Sequence, residues 1–177
     1  SLTSRAPFYK TKEEDELQET PPKKGRKHIL YLIREMLTFT PNSKKTDVGV
    51  GLEYLNKVVK RRCTAFVISD FYTRKDFSQE LRITNRKHDV VAIQVYDPRA
   101  KVMPDVGLLK VIDAETGHEM YVDTHDIRVR KAHNTYWEER EQRLHDTLTQ
   151  SHVDSVAIAT NDDYVKMLIT LFLKRRR

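Results

Sequence analysis

Two apolar runs, each closed by a carboxylate, constrain this chain more than anything else in it. Cys63 to Ser69 (C-T-A-F-V-I-S) ends at Asp70, and Val90 to Tyr96 (V-V-A-I-Q-V-Y) ends at Asp97-Pro98. Runs of this length, rich in β-branched and aromatic residues and without polar alternation, predict strands buried on both faces, as in parallel sheets covered by helices. The segments between and around them alternate strand with helix, which predicts parallel strands joined by right-handed crossovers. The expected class is α/β: a Rossmann-like parallel sheet with helices on both faces. The carboxylates then lie at the carboxyl edge of the sheet, where loops diverge and such folds bind ligands.

The remaining elements follow from period and punctuation. Ile29, Leu30, Leu32, Ile33, Met36 and Leu37 recur at helical spacing until Thr40-Pro41 stops them. Thr46 or Asp47 can cap a second helix, with Val50, Leu52, Leu55, Val58 and Val59 as its apolar positions. Asp76 can cap a third, carrying Phe77, Leu81 and Ile83. Leu108 to Ile112 and Glu119 to Val122 flank Asp113 to His118, which predicts one β-hairpin excursion with Gly117 at positive φ. Ile127 to Leu148 predicts a long amphipathic helix with Val129, Ala132, Tyr136, Leu144 and Leu148 on its inner stripe. A last strand, Asp154 to Thr160, leads through Asn161 or Asp162 as cap to a helix whose inner face is Tyr164, Met167, Leu168, Leu171 and Phe172. Residues 1–20 are polar and carry the acidic run Glu13 to Glu16, so they predict an arm or linker ahead of one domain over residues 21–177.

Composition bounds the rest. With 177 residues, 38% hydrophobic and 33% charged, the chain can bury one core under a well-solvated surface. The single cysteine, Cys63, excludes an internal disulfide, and its place at the start of an apolar strand predicts burial in a reducing, cytoplasmic setting. No apolar run reaches the roughly 18 residues of a membrane span, and no charged-then-apolar leader opens the sequence. The net charge of +6 gathers at Lys23 to Lys27, Lys57 to Arg62, Arg128 to Lys131 and Lys174 to Arg177. Each cluster falls at a helix end or on a solvated helix face, so nucleic acid is not the expected partner.

Asp70, Asp97 and Asp162 or Asp163 all follow strands, which makes a Mg2+-binding carboxylate cluster geometrically conceivable and defines an alternative reading as a metal-dependent phosphoesterase or nuclease. Against it, no nucleophile or phosphate-cradling glycine loop is evident, and post-strand acids are ordinary caps. Gly49 and Gly51 lie inside a predicted helix, where they allow close packing. The seven histidines show no zinc-ligand spacing. Ser69-Asp70 lacks the G-x-S-x-G elbow of a hydrolase. Tyr136 and Trp137 predict partial core, because the basic and aromatic interleaving of a single-strand binder is absent.

Four segments taken in order carry a family resemblance: T-D-V-G-V-G-L-E-Y-L from Thr46, V-I-S-D-F from Val67, H-D-V-V-A-I-Q-V-Y-D-P from His88, and P-D-V-G-L-L-K-V-I-D-A-E-T-G from Pro104. They resemble the C-terminal half of bacterial DUF58 proteins, whose domain is similar to von Willebrand factor A, over roughly Pro21 to Phe172. In that family a metal-ion-dependent adhesion site combines a D-x-S-x-S loop, a threonine before a helix and an aspartate after the following strand. Thr46 and Asp70 match the last two elements, and no D-x-S-x-S precedes Thr46. The resemblance therefore implies a truncated von Willebrand A-type sheet with a remnant metal site at Thr46 and Asp70 that binds Mg2+ weakly and carries no cofactor. It implies a non-enzymatic adaptor working with a MoxR-type AAA+ ATPase. Loss of the neighbouring strand implies an unsatisfied edge at Cys63 to Ser69 and, from it, a homo-oligomer.

Overall fold

The computed structural model describes residues 25–38, 47–73, 75–112 and 117–175. The predicted arm, Thr46 and the turn residues 113–116 lie outside them. The described elements are α1 (Arg26–Thr38), α2 (Val48–Val58), β1 (Thr64–Ser69), α3 (Ser78–Lys87), β2 (Asp89–Tyr96), α4 (Pro98–Lys101), β3 (Leu108–Ile112), β4 (Glu119–Asp123), α5 (Ile127–Gln150), β5 (Asp154–Ala159) and α6 (Tyr164–Arg175). β1, β2 and β5 form a three-stranded parallel sheet in that order, and β3 and β4 form a separate antiparallel hairpin. Gly117 enters β4 at φ +71°, the positive value the hairpin reading requires.

β2 is central and almost wholly buried, as its sequence demands. Its alternate residues feed two layers. Val90 and Ala92 join Val48, Leu52, Phe77, Leu81, Leu148 and Val153 in a core built with α2, α3 and α5, and Val67 of β1 packs against it. On the opposite face, the register aligns Phe66 with Val91, Ile68 with Ile93, and Ile93 with Val156, and this layer is roofed by α6. Gly49 faces α3 closely: a Cβ there would lie 3.3 Å from Asp47 Oδ1 and 3.7 Å from the Glu80 side chain, so the helices approach where a side chain would intrude.

Polar groups fasten the layers. Asn85 donates to the carbonyls of Ser151 and His152 and accepts from Val90 N, which joins α3, the α5–β5 turn and β2. The buried Thr84 hydroxyl donates to Glu80 O and accepts from Asn56 Nδ2, linking α3 to α2. Arg175 pairs with Asp89 and, at 3.2 Å, with Asp154, so the end of α6 is clamped over the amino ends of β2 and β5.

Three expectations change. β1 is, among the described strands, the edge strand that loss of its neighbour implied, but it is not buried on both faces: its exposure alternates, leaving Phe66 48% and Ile68 64% exposed, because α6 lies mainly over β5. Of the inner stripe of α5 only Leu148 is buried, with Val129 and Leu144 partly so and Leu144 packed against the core, whereas Ala132 and Tyr136 are exposed. Tyr164 and Phe172 of α6 are likewise exposed, and Asp163 accepts from Val165 N and Lys166 N as the cap, while Asp162 accepts from Ala159 N.

Candidate functional site at the carboxyl edge of β1

The chain leaves β1 through a tight reversal. Ser69 Oγ accepts from Phe71 N at 2.9 Å, and Asp70 Oδ1 accepts from Tyr72 N at 2.9 Å. Phe71 adopts φ +53°, an unusual conformation for a bulky residue. Its buried ring stacks on Phe77 at 5.9 Å, and this packing compensates the strain while leaving Asp70 on the surface. Sequence reasoning placed Asp70 at the mouth of the sheet, and the structure puts it there.

The head of α2 reaches the same loop. Asp47, buried, caps the helix by accepting from Val50 N at 3.2 Å and receives Lys75 Nζ at 2.6 Å from the loop after β1. Burial alone would raise the Asp47 pKa, but the Lys75 ammonium and the Val50 N–H hold it below the usual carboxylate value. Thus Asp47 performs the capping that the sequence allowed to Thr46 or Asp47. The placement of Thr46 against Asp70 lies outside the described residues.

From the other side comes α5. Arg140, its side chain only 12% exposed, donates to Asp70 O at 2.8 Å. Its guanidinium sits 4.8 Å from the centroids of both Tyr72 and Trp137. Tyr136 Oη donates to Tyr72 Oη at 3.3 Å, and Trp137 Nε1 donates to His133 Nε2 at 3.1 Å. Arg140 was missed in the sequence, where it reads as one more charge on a solvated helix. The available signal was its spacing, three and four residues after Trp137 and Tyr136 on one face.

The other post-strand acids are engaged locally. Asp97 accepts from the Arg99 backbone at 2.9 Å and from its guanidinium at 2.8 to 3.1 Å; these bonds, side chain first, hold its pKa below the usual value. Asp162 and Asp163 serve the β5–α6 turn as described. Among the described residues no group of three or more His, Cys, Asp or Glu is placed to hold a metal ion. Asp70 by itself supplies one carboxylate, so the described residues do not compose a metal centre. Cys63 is half-buried with its Sγ 3.5 Å from His88 Nδ1, and burial, then the Asp89 charge, raises its thiol pKa, which disfavours the nucleophilic thiolate. No described helix is long and apolar enough to cross a membrane.

A parallel three-stranded α/β sheet whose β1 is an edge strand among the described residues, with a turn-bound aspartate at that strand's mouth and a hairpin outside the sheet, defines a Rossmann-like protein. The family model described as "Protein of unknown function DUF58" matches residues 9–143, and the chain belongs to that family. It is 34% identical over 103 residues to the uncharacterized protein Rv1480 of Mycobacterium tuberculosis and to the uncharacterized protein Mb1516 of Mycobacterium bovis, a match covering 57% of this chain and 32% of each relative. The uncharacterized protein MAV169 of Mycobacterium avium is 32% identical over 103 residues, covering 57% of this chain and 61% of that protein. The match thus spans about a third of the length of the first two. No solved structure matches the chain.

Proposed function

We propose that this chain is a non-enzymatic protein-interaction module of von Willebrand A-like type, a cytoplasmic adaptor that acts with a MoxR-type AAA+ ATPase and also self-associates. The observation that carries this reading is the amount of apolar surface displayed on ordered elements: Phe66 and Ile68 on the sheet edge, Leu108, Ile112 and Tyr121 on the hairpin, each 48 to 71% exposed. Contiguous exposed apolar residues mark interaction sites in well-folded proteins. In this reading Thr46 and Asp70 are the remnant of a metal-ion-dependent adhesion site, and Mg2+ binds weakly, with water supplying most ligands.

The test pairs binding with turnover. A purified MoxR-type ATPase from the same genome is expected to bind the chain saturably, and phosphodiester and phosphomonoester substrates with Mg2+ or Mn2+ are expected to stay intact. Calorimetry is expected to find millimolar or weaker Mg2+ affinity. Micromolar affinity with metal-dependent turnover that Asp70→Ala abolishes would replace this reading with the phosphoesterase one.

A further inference from the structure

We infer that β1 is a self-pairing edge: two copies of this chain join their β1 strands antiparallel about a two-fold axis at Phe66, fusing two three-stranded sheets into one. This deepens the interaction-module reading by naming the occupant of the edge, and it is independent of the ATPase.

The backbone parity fixes which groups are available. Asp89 N donates to Cys63 O at 2.8 Å, and the parallel register pairs Thr64 with Asp89 and Val67 with Ala92. Cys63, Ala65, Val67 and Ser69 therefore direct their N–H and C=O groups at β2, and Thr64, Phe66 and Ile68 direct theirs outward. The side chains of those outward residues share the face roofed by α6, where Phe66 meets Phe172 edge to face at 6.1 Å. Between Thr64 and Ser69 stand no proline, no charged residue and no bulge, the devices by which edge strands are usually protected.

One antiparallel register uses every outward group. With Phe66 opposite its own counterpart, Thr64 faces Ile68 of the second copy and Ile68 faces its Thr64, so each outward N–H and C=O on both strands gains a partner. Sliding by two residues leaves groups unmet at both ends. Just beyond the two ends of the ladder, the same register brings Arg62 near Asp70 of the second copy, twice by symmetry, and both side chains are exposed and of opposite charge. An in-register parallel pairing would instead set Arg62 beside Arg62. It would also lack a two-fold axis and so would not close. Charge and parity thus select the second copy, joined antiparallel. Phe66 and Phe172 of both copies then line one continuous apolar floor between the two α6 helices.

Sedimentation of the full chain across the micromolar range, with amide exchange followed residue by residue, tests this. A monomer–dimer equilibrium is expected in which the amides of Phe66 and Ile68 become protected as dimer forms, while that of Val67, bonded to β2, is protected throughout. Phe66→Lys is expected to be monomeric with cooperative unfolding retained, because the side chain is half exposed. Arg62→Glu, at an exposed position, is expected to weaken association about tenfold at low salt, by turning two attractive cross-strand pairs repulsive. A chain monomeric at every concentration overturns the inference, whether the Phe66 and Ile68 amides exchange freely or are covered by another part of the same polypeptide. So does a dimer in which those amides stay unprotected. Either result leaves ATPase binding to be judged separately, and failure of ATPase binding leaves the strand pairing intact.

Discussion

Replacing Arg140 by methionine removes a guanidinium and keeps most of the side chain's length and apolar contact. Arg140 donates one hydrogen bond to Asp70 O at 2.8 Å, from a side chain 12% exposed. A bond from a charged donor contributes about 1.5 kcal/mol at the low end of its range. Two ring faces at 4.8 Å each add about 0.5 kcal/mol, the value for partly solvated cation–π contacts. The expected loss is therefore about 2 to 3 kcal/mol, and with a typical urea slope the unfolding midpoint falls by about 1 M. Trp137 is the only tryptophan, so its emission reports the same locus directly. It is expected to shift on Arg140→Met, and only partly less on Arg140→Lys, which restores charge without a planar face to stack. A midpoint unchanged in urea together with an unmoved Trp137 spectrum would refute the idea that Arg140 couples α5 to the mouth of β1.

Other outcomes follow from the same geometry. Val67→Asp is expected to prevent folding, since an unpaired carboxylate against the core costs several kcal/mol, on the order of a domain's whole margin. Asp70→Ala is expected to lower the melting temperature only slightly; equal shifts for the two would mean the sheet is misplaced. The His88 ring is fully buried, and burial first, then Lys87 and Arg62, lowers its pKa, so the folded state disfavours its proton. Its contribution is complete above the unfolded pKa of about 6.5 and is lost as pH falls toward the lower folded value. Urea titrations from pH 7.5 to 5 should show this loss, and in His88→Gln the slope should flatten. Leu81→Ala, at a fully buried core position, is expected to cost about 2 to 5 kcal/mol, against under about 1 kcal/mol for the half-exposed Ile83→Ala, as chemical denaturation would show.

Most elements were legible because local chemistry specifies them. Val90 to Tyr96 reads as a central strand and is one, since a segment apolar on both faces has no other stable place in this fold. The identical logic misplaced Cys63 to Ser69. Composition tells a strand what surroundings it suits, whereas the partners actually present decide whether it is central or at the edge, and Phe66 and Ile68 stay exposed although their types suit burial. On α5 the period was right and the reach was not. A 24-residue helix runs about 36 Å, while the eight residues of β2 span about 26 Å, so the early part of its stripe overhangs the sheet and only Leu144 and Leu148 meet the core well. At the site, Asp70 was visible as a carboxylate at a strand end. Arg140 and Lys75 were not, because an ion's partner across the fold leaves no local period.

The clamp at Arg175 has a kinetic meaning. Asp89 and Asp154 begin neighbouring strands, so when β2 and β5 pair, two like charges are drawn together at one end of the sheet. One guanidinium, delivered by α6, neutralises both. Docking of α6 thereby favours the strand pairing, and the pairing in turn gives α6 its two anchors. A ribosome releasing this polypeptide would present the α2–β1–α3–β2 layer early, with one side of the sheet bare until Arg175 emerges, and a chaperone would find that side before α6 does.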